Sequence, residues 1–301
     1  MRVFYFNITY RCNSNCLFCA ANHPLYHNEN EMTLDEFRAI LEQNEVAAGD
    51  RVIINGGEPT IHRQFWMILD EVVCRGATID LFTNGKLLVN EENVRRLLSY
   101  EGIHIRIPLF GSTAEKHDYL TGMKGNFDAT VQGLDWLCKY LKQYQTLEIK
   151  LLMSKITVDD NENIYNLICK RWCYPAVRIS LNPLLISDCV TQQRDLFIEQ
   201  YESMMIKSEH LIRRALAEKM DFSVALVPYC SYPNDKLLQM CRGRKAGGTF
   251  FYASPGCRKD VQEFEWKKPC RACIYANECN GYSKNYVSYF GAEVMKPITV
   301  R

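Results

Sequence analysis

Three cysteines, Cys12, Cys16 and Cys19, fall on one short stretch of chain, Cys12-Asn13-Ser14-Asn15-Cys16-Leu17-Phe18-Cys19. Thiolates spaced by three and then two residues can wrap one face of a cubane iron–sulfur cluster from a single loop. Such a loop leaves the fourth iron without a protein ligand, which is the open position a substrate or cofactor needs. Zinc is the competing occupant, with His23 or His27 as a further ligand, although structural zinc sites usually draw their ligands from two separated hairpins. Chance placement in a cysteine-rich chain is a third reading. A second crowd of thiols, Cys230, Cys241, Cys257, Cys270, Cys273 and Cys279, lies toward the C-terminus. There Cys270 and Cys273, two apart, suit a second cluster or a tetrahedral zinc when joined by two other thiolates.

The rest of the composition explains why those thiols need a use. The chain has 301 residues, 14 of them cysteine, and 47% of it is hydrophobic. A core of that size needs no disulfide staples, and a reducing cytosol disfavours them, which leaves metal or cluster ligation. Cys74, Cys138, Cys169 and Cys173 sit in apolar or helical surroundings and read as small buried hydrophobes; Cys189, in an expected loop, has no assignment. With 36 basic and 35 acidic side chains the net charge is +1, and no long like-charge run marks nucleic acid or an anionic membrane as a main partner. No apolar run approaches the ~18–20 residues of a membrane span. The N-terminus lacks the apolar stretch and cleavage site of a secretory signal. A cytoplasmic protein is the expectation.

The elements that must carry these residues alternate. Phe4–Thr9, Arg51–Asn55, Thr78–Thr83, His104–Pro108, Leu147–Leu152 and Val177–Leu181 read as six strands. Between them Thr33-Leu34-Asp35-Glu36 and Ser112-Thr113-Ala114-Glu115 read as capping boxes. Val94, Leu97 and Leu98, then Val131, Leu134, Leu137 and Leu141, mark helices. Strand–helix alternation with such crossovers predicts a parallel sheet, open and doubly wound or a partial barrel, with its ligand site at the carboxyl ends of the strands. After Ser187 the pattern changes. Residues 191–221 read as linking helices and 222–301 as a cysteine-, glycine- and aromatic-rich unit, leaving 1–190 as the α/β domain.

Taken together, these motifs resemble the radical S-adenosylmethionine (SAM) superfamily. The three cysteines have its spacing, with the aromatic Phe18 before the last. Asn55-Gly56-Gly57-Glu58-Pro59 resembles its methionine-binding turn, in which glycines let backbone approach a ligand and Glu58 would accept the SAM ammonium. Thr83-Asn84-Gly85 follows the third strand, and Leu109-Phe110-Gly111-Ser112, His117-Asp118, Thr121-Gly122 and Gly125-Asn126-Phe127 follow the fourth, so the resemblance covers residues 3–185. It implies a partial (β/α)6 TIM-like barrel and a [4Fe–4S] cluster on Cys12, Cys16 and Cys19. It also implies an enzyme that reductively cleaves SAM to a 5′-deoxyadenosyl radical and removes a hydrogen atom from a substrate C–H bond. Ser112 or Asn84 would hold the ribose, and Lys150 or Ser154 the methionine carboxylate.

The C-terminal run Cys270-Arg271-Ala272-Cys273, Cys279-Asn280-Gly281-Tyr282 resembles the SPASM or twitch domains that hold auxiliary clusters in that superfamily. The full motif has a further cysteine where this chain has Ser283, so one auxiliary [4Fe–4S] cluster is expected. Cys230, Cys270, Cys273 and Cys279 are its favoured ligands, with Cys241 or Cys257 as alternatives to Cys230. Full ligation suits electron transfer to or from a substrate radical. The implied substrate is a ribosomally made peptide, or alternatively a small molecule of natural-product or cofactor biosynthesis, with flavodoxin or ferredoxin as electron donor. The chain's start at the first strand, without a preceding peptide-recognition domain, counts against the peptide. A non-catalytic iron–sulfur or zinc protein is the third alternative, and the glycine-glycine-glutamate turn counts against it.

Overall fold

A computed structural model describes residues 1–19, 31–172, 175–241, 250–255, 264–265 and 268–299. His23, His27, Cys173 and Cys257, and the side chain of Cys189, lie outside the described residues. Strand β1 (Val3–Thr9) leads through α1 (Leu34–Gln43) to β2 (Arg51–Gly56), then α2 (Phe65–Cys74) to β3 (Thr78–Phe82). Next come α3 (Glu91–Leu97), β4 (His104–Pro108), α4 (Ala114–Thr121), α5 (Asn126–Tyr140), β5 (Thr146–Met153), α6 (Asn161–Trp172) and β6 (Val177–Pro183). The chain continues through α7 (Asp188–Gln192), α8 (Arg194–Phe197), α9 (Tyr201–Ala217), β7 (Asp221–Val224), α10 (Asp235–Cys241) and β8 (Phe250–Ala253). Short strands β9 (Phe264–Glu265) and β10 (Tyr282–Ser283) precede α11 (Lys284–Phe290).

The six expected strands form in the expected order and all pair in parallel. The sheet is wider than six: its order is β7-β6-β5-β4-β3-β2-β1-β8, open at β7 and β8. These two edge strands, parallel to β6 and β1 respectively, come from residues past 220. Each is four residues long, too short for an alternation to show in the sequence. Within the central strands one face packs on the helices. Val52, Ile54, Ile105, Ile107, Leu147, Ile149, Ile179 and Leu181 are buried against Phe37, Leu41, Ile68, Leu134 and Ile164 in one core, each large side chain contributing roughly 1.5–3 kcal/mol. The alternate positions, Asn55, Phe82, Arg106, Lys150 and Asn182, line a cavity on the other face of the curved sheet.

The helix starts are partly as expected. Thr33 and Glu36 form the capping box, with the Glu36 N–H on Thr33 Oγ1 at 3.2 Å and the Thr33 N–H on Glu36 Oε2 at 2.7 Å. At α4 the cap shifts by one residue: Thr113 is the N-cap. Ser112 is drawn away because its N–H (2.7 Å) and hydroxyl (2.8 Å) both donate to Asp160, which also pairs with Lys116. Cys74 departs from its expected burial and is exposed, while Cys138 and Cys169 are half-buried. The buried stripe of α2 runs through Phe65, Ile68, Leu69 and Val72, which leaves Cys74 on the solvent side.

Beyond α10, β9 and β10 pair antiparallel. α11 packs on α9 through stacked rings, with Tyr201 and Tyr286 centroids 4.1 Å apart and Tyr282 and Tyr286 5.1 Å apart. No helix among the described residues is long and apolar enough to cross a membrane.

Candidate cofactor site

The loop carrying Cys12, Cys16 and Cys19 begins where β1 ends and is clamped by neighbouring strand ends. The Gly57 N–H donates to Thr9 O at 2.7 Å and the Glu58 N–H to Arg11 O at 2.8 Å. A Cβ on Gly56, whose φ is +136°, would stand 2.1 Å from Thr9 O, and one on Gly57 2.3 Å from Arg11 O. The two glycines are therefore needed for backbone to reach backbone, seating the cysteine loop, rather than only for approach to a ligand. On the other side Asn15 N–H donates to Thr121 O at 2.9 Å and Leu17 N–H to Leu120 O at 3.0 Å. Gly122 (φ +67°) makes that approach possible, because a Cβ there would lie 2.2 Å from Asn15 O.

Side chains complete the clamp. The Asn84 amide donates to Asn13 Oδ1 at 2.7 Å and the Asn126 amide to Ser14 Oγ at 3.2 Å. Lys86 donates its ammonium to Asn13 O. Phe18 sits edge-on to Phe110, 4.9 Å between centroids, and to Phe197 at 5.8 Å. Glu58 is 1% exposed and its carboxylate is already occupied: it accepts from Thr60 N–H (3.2 Å), Thr60 Oγ1 (2.5 Å), Thr83 Oγ1 (2.7 Å) and Asn84 N–H (2.7 Å). It is a strut tying the turn after β2 to the turn after β3. Burial pushes its pKa up, opposed by the Asn84, Thr60 and Thr83 hydrogen bonds.

All of this surrounds a cavity of about 410 Å³, within the size range of small-ligand sites. Cys12, Cys16, Cys19, Phe18, Gly57, Glu58, Asn84 and Lys150 line it. Gly56, Ser112 and Ser154 do not: Ser112 is held by Asp160, and Ser154, fully buried, shares a 3.0 Å hydrogen bond with the Thr157 hydroxyl. Both serines shape the turns that leave β4 and β5. The wall also holds Lys86, Arg106 and His117, to which the sequence reading gave no role. Arg106 was legible in the alternation His104-Ile105-Arg106-Ile107, which puts every second residue of β4 on the inner face.

The electrostatics follow from burial. Desolvation pushes the Cys12 thiol up to about 11 and raises Cys16 as well. Lys86, beside Cys12, Cys16 and Glu58, is pushed down by desolvation against their attraction. Desolvation also lowers His117 to about 4; its Nδ1 accepts the Phe110 N–H at 3.2 Å. Deeper in, Asp80 holds Arg106 through Nε at 2.8 Å and Arg51 at 3.0 Å. Burial would raise Glu148, but His104, Arg106 and Ser180 outweigh it and hold its pKa near about 2.

The described C-terminal thiols, Cys230, Cys241, Cys270, Cys273 and Cys279, are not among the residues lining the cavity. Cys279 Sγ accepts the Tyr229 N–H at 3.4 Å and the Gly281 N–H at 3.3 Å. Its pKa is raised, by burial first and also by the nearby Cys230 and Cys273. Cys230 Sγ lies 3.5 Å from the Tyr282 hydroxyl, and Cys270 Sγ 3.8 Å from Met295 Sδ. Cys241, pushed up to about 12 by burial, has Arg213 as its charged neighbour rather than another thiol. No three His, Cys, Asp or Glu among the described residues converge on a single metal ion; a cubane, by contrast, spreads its thiolates over separate irons.

A parallel βα chamber with a three-cysteine loop at the carboxyl end of its first strand defines a cofactor-binding α/β protein of the iron–sulfur kind. The sequence pattern of the Radical SAM superfamily matches residues 6–168, more than half of the chain, and the chain belongs to that superfamily. SAM and a [4Fe–4S] cluster are the family's cofactors, and the three thiols facing one cavity fit them. The chain is 27% identical over 152 residues to the mycofactocin maturase MftC of Mycolicibacterium smegmatis, covering 50% of this chain and 38% of MftC. It is 30% identical over 132 residues to the Fe-coproporphyrin III synthase of Methanosarcina barkeri, covering 42% of this chain and 32% of that protein. The chain thus spans about a third of these relatives' lengths. Streptococcus suis SuiB, solved with S-adenosylmethionine, superposes with a TM-score of 0.70 at 14% identity, over 99% of this chain and 76% of SuiB. SuiB has also been solved with its precursor peptide SuiA.

Proposed function

We propose that this protein is a radical SAM enzyme that modifies a ribosomally synthesised peptide. The observation that carries the enzyme reading is the cavity wall itself, where Cys12, Cys16 and Cys19 stand beside Gly57 and Glu58. When bound there, the cluster and SAM supply reductive cleavage of the sulfonium and a carbon radical able to abstract hydrogen. The chain's own contribution is positional. The Gly56–Glu58 turn and Asn84 fix the cysteine loop, Lys86 places a cation beside the thiols, and Phe18, Phe82 and Phe110 keep the chamber apolar.

The peptide half of the reading draws on the relatives: MftC is a maturase, and SuiB is a fold neighbour solved with a precursor peptide. A small-molecule substrate is the second reading, favoured by the similarity to a coproporphyrin synthase. Cys230, Cys270, Cys273 and Cys279 would hold one auxiliary cluster, which would supply electron exchange with the substrate, and a flavodoxin or ferredoxin would be the electron donor, in the cytoplasm. The electrostatic proximity of Cys279 to Cys230 and Cys273 supports this ligand set over one using Cys241.

The test is anaerobic reconstitution with iron and sulfide, then dithionite and SAM. Release of 5′-deoxyadenosine is expected, with a mass change in a peptide encoded beside the gene. A fully reconstituted sample that releases none overturns the enzyme reading.

A further inference from the structure

Among the described residues the cations around the cavity are matched within the protein, with one exception. Arg106 is held by Asp80 at 2.8 and 2.9 Å, and Lys86 by the carbonyl of Asn13. Lys150, projecting from β5 into the same cavity, makes no hydrogen bond or ion pair through Nζ among the described residues; its contact is the face of Phe82, 4.8 Å from the ring centroid. The charges that reach it are Glu148, Arg106 and Asp80. Both acids are already engaged, Glu148 by Ser180 at 2.6 Å and by His104 at 3.4 Å, Asp80 by the two arginines. Burial pushes the Lys150 ammonium down to about 8. A half-buried cation aimed into a chamber, with no counter-ion of its own among the described residues, can take an anion from the ligand.

Position decides which ligand. Cys12, Cys16 and Glu58 all act on Lys86, yet none of them is among the charges that act on Lys150. β5 stands four strands from β1, about 19 Å along the sheet at the usual strand spacing. A SAM carboxylate seated at the cysteine loop would lie away from Lys150, which leaves that ammonium to the other occupant of the chamber.

We propose that Lys150 binds a carboxylate of the substrate, so that the substrate is an acid: a peptide offering an Asp or Glu side chain or its free C-terminus. This assignment rests on the reading of the cavity as a chamber shared by SAM and substrate.

The test is competitive amine labelling of the full, reconstituted chain with acetic anhydride under anaerobic conditions, quantified at Lys150 by mass spectrometry. The probes are N-acetyl-triglycine as free acid and as C-terminal amide, and N-acetyl-Gly-Glu-Gly-amide beside its Gln counterpart. At saturation, one acid is expected to slow labelling of Lys150 about tenfold relative to its neutral partner, the factor that one charge-assisted contact supplies. Which acid does so identifies the C-terminus or the side chain as the source. Equal labelling with acid and neutral probes overturns the proposal. So does protection by SAM alone as strong as that by the acids, since Lys150 then serves the cofactor. Should wild-type protein release no 5′-deoxyadenosine while the acids still shield Lys150, the enzyme reading fails and the anion site stands.

Discussion

The two groups of cysteines are built in opposite ways. Around Cys12, Cys16 and Cys19 the loop is gripped through its backbone, from the turn after β2 and from the C-terminal end of α4, and its thiols line an open chamber. Around Cys230, Cys273 and Cys279 the grip is aromatic: Tyr229, Tyr232 and Tyr275 pack about Cys279, and Tyr282 touches Cys230. Among the described residues, these thiols do not line the chamber that holds the first three. A backbone clamp with the sulfurs left open suits a cluster that must meet a ligand, whereas enclosure by rings suits one that only exchanges electrons or braces the fold.

The largest expected effect separates the two groups. Cys16→Ala should lower iron from about eight to about four per chain and abolish 5′-deoxyadenosine release. Cys273→Ala should lower iron by the same amount and stop product formation, yet leave SAM cleavage measurable. If Cys273→Ala alone silences SAM cleavage, the division of labour is wrong.

A smaller effect tests what Glu58 does. As a strut it faces four donors, two of which, the N–H groups of Thr60 and Asn84, cannot rotate away. Glu58→Gln sets an NH2 against one of them, and stability should fall by about 2–3 kcal/mol in denaturant melts. Unchanged stability with weakened SAM binding would return Glu58 to the role of a direct contact with the SAM ammonium.

That residue also shows where the sequence stops being informative. Buried parallel strands announce themselves as apolar runs, so β1 to β6 and their order were legible, as was the thiol spacing. The edge strands β7 and β8 were not, since four residues carry no usable period. Glu58 was placed correctly in the fold, but no spacing rule says that Thr60, Thr83 and Asn84 would saturate its oxygens. Ser112 was expected to cap α4 and to face the ribose; its neighbour in space, Asp160, is 48 positions away and captured it. Lys150 was legible as a cation on an inner strand, but that no described residue pairs with its ammonium is a property of the assembled sheet.

The two regions should also differ toward acid. His117 lies in the wall of the chamber, whereas no histidine occurs past His210. Burial lowers its folded pKa to about 4 from 6.5, with Asp118 opposing and Lys86 assisting. A histidine kept neutral in the folded state favours folding above pH 6.5, and that contribution is lost as pH falls through 6.5 toward 4. The loss should approach about 3 kcal/mol. His117→Asn should flatten stability against pH in this window; an unchanged slope would mean that the chamber wall opens to accommodate the charge, so that His117 adds no pH dependence.

The smallest effect belongs to the aromatic region. The Tyr282 hydroxyl donates to Val294 O at 2.9 Å and meets Ser231 Oγ at 2.8 Å and Cys230 Sγ at 3.5 Å. Tyr282→Phe keeps the ring stack with Tyr286 and removes only that hydroxyl. It should cost about 1 kcal/mol, or about 2 °C in melting temperature for a chain of this size. Because the hydroxyl touches a proposed ligand sulfur, the reduction potential of the auxiliary cluster should also move while that of the first cluster stays fixed. A melting shift without any change in either potential would take Cys230 out of the ligand set and leave the Tyr282 hydroxyl a purely structural contact.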